Sequence, residues 1–174
     1  MTGTTPASVR FGMFSPHPLS VEVGVGEIAF AEAPARLFTP ALGSCVSVAI
    51  WDPLLHTGVL AHVMLPSPCE GCVTDDAKYA SFAVPAMVQQ LVDHGSLKRR
   101  LEAKIAGGAA MFCRDTSVAS IGERNADEVK LQLELMQVPL LAEDTGQGHA
   151  RTVELVLETG VLLVHCHRYG TREI

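Results

Sequence analysis

The chain is poor in aromatic residues, which make up 5% of its 174 positions and include one Trp. It has no basic excess either, since 13 Lys and Arg stand against 19 Asp and Glu for a net charge of −6. A nucleic-acid binder needs a basic face to neutralise phosphates, and an anionic lipid surface asks for the same, so both partners are disfavoured. No stretch approaches the roughly 18 uninterrupted apolar residues that span a bilayer, which argues against membrane insertion. Residues 1–20 carry Arg10 but no apolar core ahead of a cleavage site, so they do not read as a signal peptide. Rich in Pro, Thr and Ser, they read as a flexible N-terminal extension. The Gly-rich string Thr145-Gly146-Gln147-Gly148 lacks the Lys-Ser/Thr of a P-loop and any dinucleotide fingerprint, so it reads as a turn. No cofactor or metal is implied.

What is present suits one core. Hydrophobic residues make up 48% of the chain, enough for a single domain over residues 21–174. Five cysteines are an odd count, scattered through apolar runs (Cys45, Cys113, Cys166) or a loop (Cys69, Cys72). A secreted scaffold stapled by disulfides is denser in Cys and even-numbered, so the expectation is a reducing cytoplasm in which any special cysteine is free.

Residues 19–25 alternate in the period-two pattern of a half-buried strand, and further strands are expected over 45–51 and 59–65. Asp52-Pro53 and Thr57-Gly58 suggest that the latter two form a hairpin. A helix is expected from Asp76 to His94, capped near Thr74 or Asp75, with Tyr79, Phe82, Ala83, Ala86 and Leu91 inward and Gly95 as its stop. Pro85 should kink it or shift its start. A helical turn near Leu97–Leu101 and a strand at 103–106 follow. Asn125 with Glu128 resembles a capping box opening a helix to Met136, and strands are expected over 139–142, 152–157 and 161–165. That order predicts an α/β sandwich with a mixed sheet.

Two residues in this frame could carry chemistry. Cys45 follows the small turn Leu42-Gly43-Ser44, where a nucleophile can project beside free backbone N–H groups. Equally, Cys is a small hydrophobe that packs well in a strand. His62 lies in an apolar strand, where it needs a partner: it is either a general base or a core imidazole bonded to a carbonyl. A hairpin centred near Leu55 sets His62 opposite Val48. Cys69-Glu-Gly-Cys72 has the spacing of a redox pair or half a zinc site, with His165 and His167 as the remaining candidates.

The strings Leu42-Gly43-Ser44-Cys45-Val46 and Ala61-His62-Val63-Met64-Leu65-Pro66 resemble the chemoreceptor glutamine deamidase family, CheD. The resemblance continues through Lys78-Tyr79-Ala80, the segment from Glu102 to Ala109, Ile121-Gly122-Glu123-Arg124-Asn125 and Ala142-Glu143-Asp144-Thr145-Gly146. It runs from about Val21 to His165. It implies a three-layer α/β/α sandwich and a catalytic set of Cys45 as nucleophile, His62 as general base and acid, and Thr39 orienting His62. Gly43 and Ser44 are then expected to border the oxyanion hole. The resemblance also implies chemotaxis receptor glutamines as substrates, glutamate methyl esters as further ones, and a CheC-type phosphatase as partner. The alternative is a catalytically weak adaptor of the same fold that docks on receptor or phosphatase. This sequence departs from the family where Pro40 follows Thr39, where Gln147 replaces a second Gly, and in the Cys69/Cys72 loop.

Overall fold

A computed structural model of the chain describes residues 19–69, 72, 76–110 and 119–174. Of the expected extension, only Leu19 and Ser20 fall among them, while Cys113 and the expected cap at Thr74 or Asp75 lie outside the described residues. The elements are β1 (Ser20–Glu22), β2 (Ile28–Glu32), β3 (Arg36–Leu42), β4 (Val46–Asp52), β5 (Thr57–Val63), α1 (Ala80–Asp93), β6 (Glu102–Gly107), α2 (Ile121–Leu135), β7 (Leu140–Thr145), β8 (Arg151–Val156), β9 (Val161–Cys166) and β10 (Gly170–Glu173). A 3-10 turn at Lys98–Arg100 precedes β6.

The strands form two mixed five-stranded sheets, β2-β5-β4-β6-β7 and β1-β3-β8-β9-β10. In the first, β6 and β7 run parallel and the other pairs antiparallel; in the second, β1 and β3 are the parallel pair. Alternation along β4 and β5 sends Val46, Val48, Ile50, Val59, Ala61 and Val63 into a core shared with both helices. The opposite parity, Ala49 and Leu60, joins Leu37, Leu42, Val153 and Leu155 in a second core between the sheets. The fold is therefore α/β with mixed sheets, but its layers run helices, sheet, sheet. This corrects the expected α/β/α order: both helices cover one face of the first sheet, and the second sheet fills the place of a second helical layer. Among the described residues no helix is long and apolar enough to cross a membrane.

Local expectations shift where tertiary bonds compete. The first helix begins at Ala80, not Asp76, because the Lys78 carbonyl accepts from the N–H groups of Met64 and Leu65 and Tyr79 bridges to Leu65. Its buried face is Ala80, Ala83, Val84, Met87, Val88 and Leu91, and it runs through Pro85. The capping box of α2 is Ser120 with Glu123, five residues ahead of the expected Asn125. The strands β2 and β3 escape periodicity: β2 is rich in Ala, and β3 contains Pro40 at a bulge. The short C-terminal β10, exposed throughout, gives no burial alternation to find it by.

Candidate active site

The hairpin β4–β5 sets His62 directly opposite Ser47, one residue away from the expected Val48. Cys45 stands one residue before β4 and, like Ser47 and Ala49, faces the second sheet, where it packs at the edge of the inter-sheet core. Leu60 and His62 share that face, so Cys45 and His62 are diagonal cross-strand neighbours. Such neighbours lie about 7–8 Å apart at the backbone and closer at their side chains. The structure thus brings the two onto one surface, and among the described residues no hydrogen bond joins the thiol to the ring.

Thr39 arrives from the opposite sheet. Its hydroxyl lies 2.7 Å from His62 Nδ1, and both residues are buried. Pro40 is part of the reason. The register of β3 against β8 pairs Thr39 with Val153 and Leu42 with Arg151, so one extra residue is accommodated on β3, and Ala41 takes φ 59°. Bulges re-aim side chains and tolerate Pro, since the missing N–H costs no ladder bond there. With Thr39 Oγ1 accepting from Nδ1–H, the Nε2 lone pair is left over, and Nε2 is buried with no hydrogen-bond partner among the described residues.

Burial governs the electrostatics of both groups. It lowers the His62 pKa below 6.5, with the Val23 backbone carbonyl pulling the other way. It raises the Cys45 thiol above its ordinary value, opposed by that residue's own backbone N–H. Both shifts favour a neutral thiol and a neutral imidazole, so forming a thiolate here requires proton transfer to a base.

The Gly43–Cys45 segment is fixed by its carbonyls. Gly43 O accepts from Ala109 N and Cys45 O from Gly108 N, each at 2.8 Å. Gly107 has φ 117°, and a Cβ there would sit 2.3 Å from Cys45 O, so only glycine lets these strands close. The loop after β7 braces the same corner through Gly146 N to Gly107 O and Ala110 N to Gln147 O. Arg151, fully buried, ties that loop down through Asp144 and the carbonyls of Gly146 and His149.

Three residues at this corner escaped the sequence reading. Ser47 is fully buried opposite His62, with its hydroxyl lacking a partner among the described residues. Val23 supplies the carbonyl beside the ring. Asn125, expected to cap a helix, is instead buried inside α2 and donates to Ser44 O and Met64 O, each at 2.9 Å. Only Ser47 carried a signal, its alternation with Cys45. Cys69 and Cys72 form a disulfide, while Cys45 is a free thiol. Among the described residues no three His, Cys, Asp or Glu side chains converge to hold a metal ion.

Residues 64–166 match the family model described as CheD chemotactic sensory transduction. The chain is 44% identical to a probable chemoreceptor glutamine deamidase CheD 3 of Geobacter sulfurreducens, over 83% of this chain and 91% of that protein. It is 48% identical to the chemoreceptor glutamine deamidase CheD of Thermotoga maritima, over 82% and 88% respectively. A probable chemoreceptor glutamine deamidase CheD of Geobacillus kaustophilus shares 42% over 89% of this chain and 97% of its own. Among solved structures, the hypothetical protein YfiH of Bacillus licheniformis is similar with a TM-score of 0.49 and 14% identity, over 70% of this chain and 51% of that one.

Proposed function

The chain belongs to the CheD family, and from that premise we propose that it deamidates glutamine side chains of chemoreceptors to glutamate through a thioester on Cys45. The observation that carries the reading is the Thr39–His62 hydrogen bond, which holds a buried imidazole on the face that Cys45 shares. In this reaction His62 Nε2 takes the thiol proton as Sγ attacks the carboxamide carbon, forming the S–C bond and a tetrahedral oxyanion. Backbone N–H groups of the Gly43–Cys45 turn hold that oxygen. The imidazolium then gives its proton to the departing nitrogen, the C–N bond breaks and ammonia leaves. Water, deprotonated by the same imidazole, attacks the thioester, and the thiol is returned as the glutamate side chain departs. Thr39 keeps Nδ1 as the protonated nitrogen throughout, the orienting role of a triad's third member.

A glutamate methyl ester passes through the same thioester with methanol as leaving group, so receptor methyl esters are proposed as second substrates. The family assignment further motivates a CheC-type phosphatase as partner and a cytoplasmic site of action. Purified protein incubated with a receptor cytoplasmic fragment should release ammonia and add one dalton to particular glutamine peptides in a mass map. Unchanged ammonia release from Cys45→Ala would overturn the mechanism, and no turnover by the wild type would leave the adaptor reading in its place.

A further inference from the structure

Asn125 has a polar side chain in the body of a helix, and burying one there is costly unless it is used. It is the fifth residue of α2 and fully buried, and its Nδ2 forks to two carbonyls on different strands. One, Ser44 O, immediately precedes the nucleophile; the other, Met64 O, follows His62 by two residues. This is where the hairpin ladder stops. The last β4–β5 pair is Val46 with Val63, and beyond it the Met64 and Leu65 N–H groups turn to the Lys78 carbonyl. The amide therefore spans the two strands just where they part.

A trans peptide is planar, with its C=O and N–H pointing opposite ways. Pinning Ser44 O inward to Asn125 therefore turns the Cys45 N–H outward, and that N–H acts on the Cys45 sulfur. Ala109 N does the same for the Gly43–Ser44 peptide by holding Gly43 O. Among the described residues no backbone carbonyl accepts from the Ser44 or Cys45 N–H. Only an amide fits the task at Asn125: Leu has no donor, Ser has one, and an ionised Asp would repel both carbonyls.

We propose that Asn125 is a positioning residue, which fixes the Ser44–Cys45 peptide so that the Cys45 N–H faces the oxyanion and ties that peptide to the strand bearing His62. The proposal rests on the amidohydrolase reading above and extends it to a residue that touches neither substrate nor thiol.

Its test is Asn125→Leu, close in volume but without donors, compared with wild type in three assays. They are turnover of a receptor fragment, inhibition by a peptide carrying the γ-aldehyde in place of the glutamine carboxamide, and alkylation of Cys45 by iodoacetamide. The aldehyde adds the thiol to give a hemithioacetal whose oxygen sits where the oxyanion does, whereas alkylation places no oxygen there. The expected result is a kcat about 100-fold lower, the loss typical of one oxyanion donor, with aldehyde affinity falling in step. KM and the alkylation rate should stay within about threefold, the signature that separates aiming from general disruption. Values of kcat and aldehyde affinity within about threefold of wild type would overturn the proposal, and so would alkylation lost in parallel with kcat. If the Leu variant does not fold, Asn125→Ser, with one donor, should still lower kcat and aldehyde affinity together, and its equality with wild type counts against the proposal. A wild type that binds the aldehyde but turns over no receptor glutamine overturns the amidohydrolase reading, while the aldehyde comparison still decides the role of Asn125.

Discussion

The two ends of the β4–β5 hairpin treat their buried titratable groups in opposite ways. At the turn end, the Asp52 carboxylate is fully buried and met by the N–H groups of Leu54 and Leu55 and by the Nε and Nη2 atoms of Arg100, the closest at 2.7 Å. Burial pushes its pKa up, but the Arg100 guanidinium and these donors outweigh it and hold the carboxyl at about 2. At the open end, His62 Nε2, Ser47 Oγ and Asn125 Oδ1 are buried without a partner among the described residues. Thr57 Oγ1 and Ser96 Oγ at the turn end lack a partner among them too, so the ends differ in their titratable groups. The carboxylate is fully met, whereas an imidazole nitrogen is left unbonded on the face that Cys45 shares. The same ladder thus joins a stabilising end to a reactive one.

Breaking the reactive end should leave stability largely alone. The largest effect is expected for Cys45→Ala, with ammonia release lower by about 10⁴-fold or more and a melting temperature within about 2 °C of wild type. His62→Gln should lower kcat by about 10²–10⁴-fold, the usual contribution of a positioned base, read from initial rates. Because burial lowers the His62 pKa, the neutral base survives below pH 6.5, so the acid limb of kcat/KM should fall at a pH beneath that value. An acid limb above 6.5 would contradict the assignment. Thr39→Val removes the hydroxyl at nearly constant shape and should cost about tenfold in kcat, with KM little changed.

Breaking the stabilising end should do the reverse. Asp52→Asn should keep kcat within about twofold while costing about 2 kcal/mol, or about 4–8 °C in melting temperature. The pH dependence has a definite sign. With its folded pKa depressed to about 2 from 3.8, Asp52 contributes stability that is complete above pH 4 and is lost as pH falls toward 2. Denaturant melts across that window should show a steeper acid loss in wild type than in the Asn variant.

Much of the reactive end was legible because strand parity is local. Cys45, Ser47 and Ala49 must share a face, and so must Leu60 and His62, whatever the rest of the chain does. The hairpin followed from its turn residues, and a one-residue error in its register misplaced the partner of His62 by one position. Thr39 was reachable only through family resemblance, because β3 has no clean periodicity across Pro40 and its bulge. Asn125 was misread for a similar reason: an Asn three residues before a Glu looks like a cap, and Ser120 had already filled that role. The layer order was likewise hidden, since an apolar face does not say whether a helix or another sheet will cover it.

The sequence by itself determined the strand that follows Cys45 and the one that carries His62, the facing of each side chain, and the family. These depend on residue types within a few positions of one another. The tertiary structure alone decided that Thr39 meets the imidazole across two sheets, that Asn125 grips both strand ends, and that the third layer is a sheet. Those contacts join residues 23 to 81 positions apart, where register, a bulge and the closing of one core over another set distances that no local pattern records.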